Sequence, residues 1–287
     1  FQDNPYIDHV PVFVATNDGD VFATRPFFVL RMRVDDTETL GLLTVDTMVH
    51  PDHRRRGLFT TLTEKSIEFY ASQEPAFVFN QPTATARSGF GNLGWRELTP
   101  SVNYHRIQRP GALLTKHVDS DQRFSWHSSP VVTSLADLVR NVSDVLRSGD
   151  ADAVREHPDV RAETLSSLYR RGDPDRIHAV RDQAYYGWRF ASPEWTRQTY
   201  LTDEGRETVG ALVRTRTTHE DVTVTQVADI VPLCGSEDWE TAVTSLLCRA
   251  IEEHRDSDLL SIAPGVVPPA LLLRLGLLPH APLPLSL

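Results

Sequence analysis

Lysine is almost missing from this chain of 287 residues: Lys65 and Lys116 stand alone, and the rest of its 29 basic side chains are arginines. Cysteine and methionine are as scarce, at two each. Cys234 and Cys248 flank an expected loop-to-helix junction. They give neither a disulfide framework nor a thiolate metal site, which points to a reducing, cytoplasmic compartment. Eleven histidines are scattered without H-x-x-x-H or cysteine-paired spacing, so no metal is expected. No apolar run reaches the length of a membrane span; the longest candidates, near 259–278, are broken by prolines and charges. Positive charge is also in deficit, with 39 acidic residues and a net charge of −10. Such a chain is a poor general binder of nucleic acid. Lysine depletion beside excess carboxylate fits a salt-adapted source such as a halophilic archaeon, and a GC-rich genome gives the same depletion.

Against that acidic background one segment stands out: Asp46-Thr47-Met48-Val49-His50-Pro51-Asp52-His53-Arg54-Arg55-Arg56-Gly57-Leu58. An apolar strand ends at His50, a Pro turn follows, and three arginines and a glycine open a helix. Unpaired backbone N–H groups, a helix dipole and positive charge then meet at one point, which suits a pyrophosphate. The helix from Leu58 is amphipathic, with Phe59, Leu62, Ser66, Phe69 and Tyr70 along one stripe. A side chain at Gly57 would stand between the backbone and an approaching phosphate. Taken alone, the segment reads equally as a surface turn with solvated arginines.

Its surroundings separate the two. The preceding strand, the helix, Phe77-Val78-Phe79-Asn80 and then Phe90-Gly91-Asn92-Leu93-Gly94-Trp95 resemble, in order and spacing, acetyltransferases of the GNAT superfamily. The segment is most similar to a tandem-domain branch found in prokaryotes, and the resemblance covers residues 1 to 110 well and the C-terminal third weakly. It implies an α/β fold with a mixed sheet, in two tandem copies. It also implies acetyl-CoA as co-substrate, bound through an R-x-x-G-x-(G/A) turn at Arg54, Gly57 and Phe59, with Arg55, Arg56, Leu58 and Thr60 alongside. Phe59 is larger than the usual residue there. The family's splayed strand supplies a backbone N–H to the thioester and pairs with the pantetheine arm; here that maps to Met48 and Val49. Asn80 matches an asparagine contacting the same arm, and reads equally as a cap before the Gln81-Pro82 turn.

Three parts are expected. The first, residues 1–110, is the acetyl-CoA-binding domain. It has strands at His9–Ala15, Val21–Ala23, Phe27–Val34 and Leu40–Met48, a helix over 58–73, a strand at Phe77–Asn80 and a short helix near 87–93. Strands near Trp95–Leu98 and Val102–Gln108 complete it. The family's first strand and two helices are expected to precede Phe1. The second part, 111–175, is a connecting segment with a helix at Ser134–Leu146. The third, 176–287, is a degenerate second copy. There Gly235-Ser236-Glu237-Asp238 replaces the arginine turn, and its carboxylates cap the helix themselves and repel a pyrophosphate. This copy is assigned no cofactor and is expected to cover a flank of the first or shape the acceptor cleft.

Acetyl transfer to an amine needs a base, because an alkylammonium of pKa about 10.4 is protonated near neutrality. Asp46 and His50, on the same side of the strand as Met48, are the candidates, and each reads also as a polar strand-end residue. The family commonly has a tyrosine proton donor where this chain has Phe90, and a phenyl ring cannot donate. Tyr104 is a candidate substitute, or a packed strand tyrosine. Two functions follow: an N-acyltransferase acting on a small amine, an amino sugar or a protein terminus, or a catalytically silent module that binds coenzyme A or a partner as a sensor or scaffold. Oligomer formation is compatible with either.

Overall fold

The Asn17-Asp18-Gly19-Asp20 hairpin signal is realised with Asp18 and Gly19 both in left-handed backbone, at φ 51° and 93°. The computed structural model describes residues 3–71, 76–80, 90–91, 93–95, 103–113, 154–156, 162–169, 177–191, 196–202, 208–218, 221–235, 238–262 and 267–279. In chain order its elements are β1 (Val12–Asn17), β2 (Asp20–Val34), β3 (Thr37–Thr44), β4 (Met48–Val49), α1 (Leu58–Ala71), β5 (Ala76–Phe79) and β6 (Tyr104–Ile107). Then come β7 (Val154–Glu156), α2 (Ala162–Tyr169), β8 (His178–Ala179), α3 (Gln183–Arg189), β9 (Thr196–Thr202) and β10 (Gly210–Thr217). The last are β11 (Thr223–Val231), α4 (Trp239–Glu253), β12 (Leu259–Ile262), α5 (Pro269–Arg274) and β13 (Leu278–Pro279). The chain forms two compact units, Phe1–Pro100 with Asp173–Phe190, and Ser101–Gly172 with Ala191–Leu287. The fold is mixed α/β, with two mixed sheets.

In the first unit β2 is the spine. It pairs antiparallel with β1 along its first half and with β3 along its second. The two strands expected at Val21–Ala23 and Phe27–Val34 are therefore one, with Pro26 inside it accepting from the Val45 amide at 3.3 Å. Helix α1 carries the chain from the antiparallel hairpins to β5, which lies parallel to β3 with Leu40–Leu43 opposite Ala76–Phe79. Phe27, Val29, Leu42 and Tyr70 form the buried core between sheet and helix. Leu62, Thr63, Ser66 and Tyr70 are the buried face of α1, whereas Phe69 lies exposed at the margin, edge-on to Phe13. Thr63 and Ser66 are tolerated inside because each hydroxyl donates to a carbonyl of its own helix, Phe59 and Thr63 respectively.

The aromatic run Tyr185-Tyr186-Gly187-Trp188-Arg189-Phe190, which falls within the third part expected over 176–287, packs in this unit instead. Strand β8 pairs with Met32 and Arg33 of β2, and Asp182 caps α3 by accepting from the Tyr185 amide at 2.7 Å. The Tyr6 hydroxyl donates to Asp182 at 2.9 Å, which ties the segment to the start of the chain.

The second unit has strand order β13-β6-β12-β11-β10-β9-β7. Antiparallel hairpins, a helix and a parallel strand (β9, β10, β11, α4, β12) repeat the order of the first unit. Its core is built on Val213, Val243, Leu246, Leu247 and Leu260. The strand expected to complete the first domain sits here as β6, paired antiparallel with β12 and β13. At the start of α4, Asp238 occupies the capping position but makes no side-chain capping hydrogen bond; Glu240 keeps the first turn acidic. The expected helix at Ser134–Leu146, most of the 111–175 segment, Ser236 and Glu237 lie outside the described residues, as do residues 87–89 of the short helix and 96–98 of the strand after Trp95.

Gly41 is a packing requirement of β3: a Cβ there would overlap Met32 Cγ and press on the Phe79 ring at 3.2 Å. Gly187, in α3, faces open space. Gly41→Ala should destabilise the protein by about 1–3 kcal/mol in urea unfolding. Gly187→Ala should be neutral or stabilise by roughly 0.5–1 kcal/mol.

Candidate functional site

The strand expected over Leu40–Met48 does not run straight. Pairing with β5 covers Leu40–Leu43, and β3 ends at Thr44. Asp46 then takes left-handed backbone at φ 38°, and the chain resumes as β4, with Met48 opposite Thr24 and Val49 opposite Ala23 of β2. The His50 amide closes the exchange by donating to Phe22 O at 2.8 Å. Among the described residues, pairing with β5 thus ends at Leu43 and the chain beyond Thr44 is held by β2 alone.

The turn into α1 is built from short-range contacts. His50 caps the Pro51–His53 turn, its Nδ1 accepting from the Asp52 amide at 3.3 Å. Arg54 donates from Nε to Val49 O at 3.2 Å, which fastens the turn to the splayed strand. Arg55 and Gly57 have φ of 59° and 76°, and nothing lies within 4 Å of where a Gly57 Cβ would stand. The first α1 hydrogen bond here runs from the Thr61 amide to Gly57 O at 2.9 Å. The amides of Leu58, Phe59 and Thr60 therefore have no acceptor inside the helix, and no acidic residue stands in its first turn. Three exposed arginines precede that positive helix end.

Thr47, Met48, Val49, His50, Pro51, His53, Arg54, Arg55, Gly57, Leu58 and Phe59 line one open cleft of about 700 Å³. The structure thus brings together Met48, Val49, His50, Arg54, Arg55, Gly57, Leu58 and Phe59. Arg56 and Thr60 are exposed beside the cleft but do not line it, and neither does Asp46, exposed at the kink. Asn80 follows β5, and its Nδ2 is buried without a hydrogen-bond partner. Tyr104 is displaced altogether: β6 is a strand of the second unit, and the Tyr104 ring packs against that unit's core.

Arg25, which sequence reasoning passed over, is the largest surprise. It is 1% exposed, on the inward face of β2 between Ala23 and Phe27. Its Nη1 donates to Thr47 Oγ1 at 2.7 Å, while Nε and Nη2 are buried without partners. The guanidinium carbon lies 5.0, 5.2 and 5.7 Å from the ring centroids of Phe59, Phe90 and Phe27. Burial lowers its pKa to about 10, with no carboxylate among the described residues acting on it. Phe59 and Phe90 meet edge to face at 5.1 Å, and Phe90 packs on Trp95 at 4.7 Å. Phe59 is accommodated because this cluster holds its ring. The available signal was period: Ala23, Arg25, Phe27 and Val29 share one face, and an arginine is out of place in that series.

Residues 1–98 match the family described as the acetyltransferase (GNAT) domain. No curated protein matches the chain by sequence. Among solved structures it is similar to N-myristoyltransferase of Saccharomyces cerevisiae with bound myristoyl-CoA, at TM-score 0.59 and 11% identity over 93% of this chain and 63% of that one. It is similar to a GCN5-related N-acetyltransferase from Anabaena variabilis, at TM-score 0.58 and 12% identity over 94% and 60%. The third is Eis1 from Mycobacterium abscessus, at TM-score 0.53 and 16% identity over 94% and 62%. The chain spans less than two thirds of the length of each of these structures, and at such identity the likeness is one of fold. The family match falls on the strands and helix of the first unit, and the likeness to the solved structures is one of fold.

Proposed function

We propose that this protein is a cytoplasmic N-acyltransferase that takes an acetyl group from acetyl-CoA and delivers it to an amine of a small molecule, an amino sugar or a protein terminus. The observation that carries the proposal is the acid-free start of α1 behind Arg54, Arg55 and Gly57, opening onto the cleft walled by Met48 and Val49. Its donors and charge suit a pyrophosphate. The splayed β4 backbone suits the amide-bearing pantetheine arm, and the unpartnered Asn80 Nδ2 is a donor for the same arm. Acetyl-CoA supplies an activated thioester; the chain's part is to orient it, to offer the main-chain N–H of Val49, which faces away from β2, to the carbonyl oxygen, and to remove the amine proton. Of the two proposed bases, His50 lines the cleft and Asp46 does not, which favours His50.

One observation favours the silent coenzyme A-binding module: Phe90, buried among Phe59, Trp95 and Arg25, has no proton to give. Thioester consumption with a panel of amines decides between the two, and a protein that binds acetyl-CoA without turnover is the module.

Acetyl-CoA at about a hundred times its Kd should stabilise the native protein by about 2.7 kcal/mol, read as a rise in melting temperature. Gly57→Glu should abolish that rise, since it sets a carboxylate before the helix amides. Asn80→Ala should weaken acetyl-CoA binding on the order of tenfold in calorimetry. A full response in Gly57→Glu would overturn the assigned phosphate site.

A further inference from the structure

Thr47 is the one hydroxyl among the described side chains lining the cleft, and it stands immediately before Met48. Its oxygen accepts from Arg25 Nη1, and a guanidinium has no lone pair to accept in return. The Thr47 hydrogen is therefore left for another acceptor, and the residue's place on the wall puts the cleft within its reach. A hydroxyl that accepts from a cation becomes a stronger donor. Arg25 is suited to polarising it, because no carboxylate among the described residues damps its charge, aromatic rings surround it, and it is sealed from water.

We propose that Thr47 is a catalytic hydrogen-bond donor to the departing thiolate sulfur, and that Arg25 is the positioning residue that orients and polarises it. This rests on the acyltransferase reading above. In the step assisted, the amine nitrogen bonds to the acyl carbon and the carbon–sulfur bond breaks, its electron pair staying on sulfur. The amine proton goes to the base, or to water. Thr47 keeps its hydrogen throughout and lends it to the sulfur as charge develops there. Phe90 then needs no hydroxyl, because the donor comes from the strand side of the cleft. The proposal also accounts for an otherwise costly group, a buried charge without a counter-ion.

The test uses the full chain and four variants, Thr47→Val, Thr47→Ser, Arg25→Met and Arg25→Lys, each checked by circular dichroism and melting. With acetyl-CoA and a reactive amine, Thr47→Val should lower kcat about ten- to a hundredfold while KM for acetyl-CoA moves less than about threefold. Thr47→Ser should stay within about threefold of native, and Arg25→Met should match Thr47→Val. Arg25→Lys should fall between them, because it keeps the charge and loses the fork. A second readout needs no turnover: the thiol of bound coenzyme A, titrated by thiolate absorbance. It should ionise at lower pH on the native protein than on Thr47→Val, by about one unit, a tenfold change. Native turnover and thiol ionisation both surviving in a folded Thr47→Val overturn the proposal. A native protein that binds coenzyme A without turnover is the silent module, and overturns the catalytic role assigned to Thr47. A native protein that fails to bind coenzyme A overturns the acyltransferase reading, and this assignment with it.

Discussion

A strand that changes partner is what the site depends on. β3 can bond to β5 and β4 to β2 only if the chain between them bends, and the left-handed Asp46 makes the bend. A strand with backbone donors on two sides normally spends both on neighbours. Here one side is released beyond Thr44, beside a helix whose first amides are also unspent. Arg54 couples the two by bonding to Val49 O, so turn and strand move as one piece. The cleft follows from backbone geometry, and the side chains refine it.

Arg25 shows what the refinement costs. An inward strand position ordinarily holds an apolar residue, and a cation there loses its water without gaining a carboxylate. Three phenyl rings and the Thr47 hydroxyl offset part of that loss. The group lies beside a core of Phe27, Val29, Leu42 and Tyr70.

Much of the first unit was legible in the residues. The Asp18-Gly19 turn, the helix after Gly57 and the strand at Phe77–Phe79 each carry a local signal, and the turn proposed to hold the cofactor rests on a short contiguous motif. What escaped was non-local. Nothing local at Tyr104 says which sheet its strand will join, since pairing partners are chosen by packing far along the chain. Likewise Tyr185–Phe190 reads as a buried aromatic cluster, as it is, but the unit it enters is decided by β8 finding the edge of β2. Arg25 escaped for a different reason: an isolated arginine is usually a surface residue, and only its strand register marks it as internal.

The exchange of segments between the units bears on how the protein is made. As the chain leaves the ribosome, the strands around Phe27 emerge early, yet β8 and α3, which complete the same sheet edge, come only after Gly172. β8 and α3 can complete the β2 edge only after the intervening residues have been made, and β6 gains β12 only later still. Neither unit corresponds to a contiguous stretch, so each closes only with residues that follow a segment of the other.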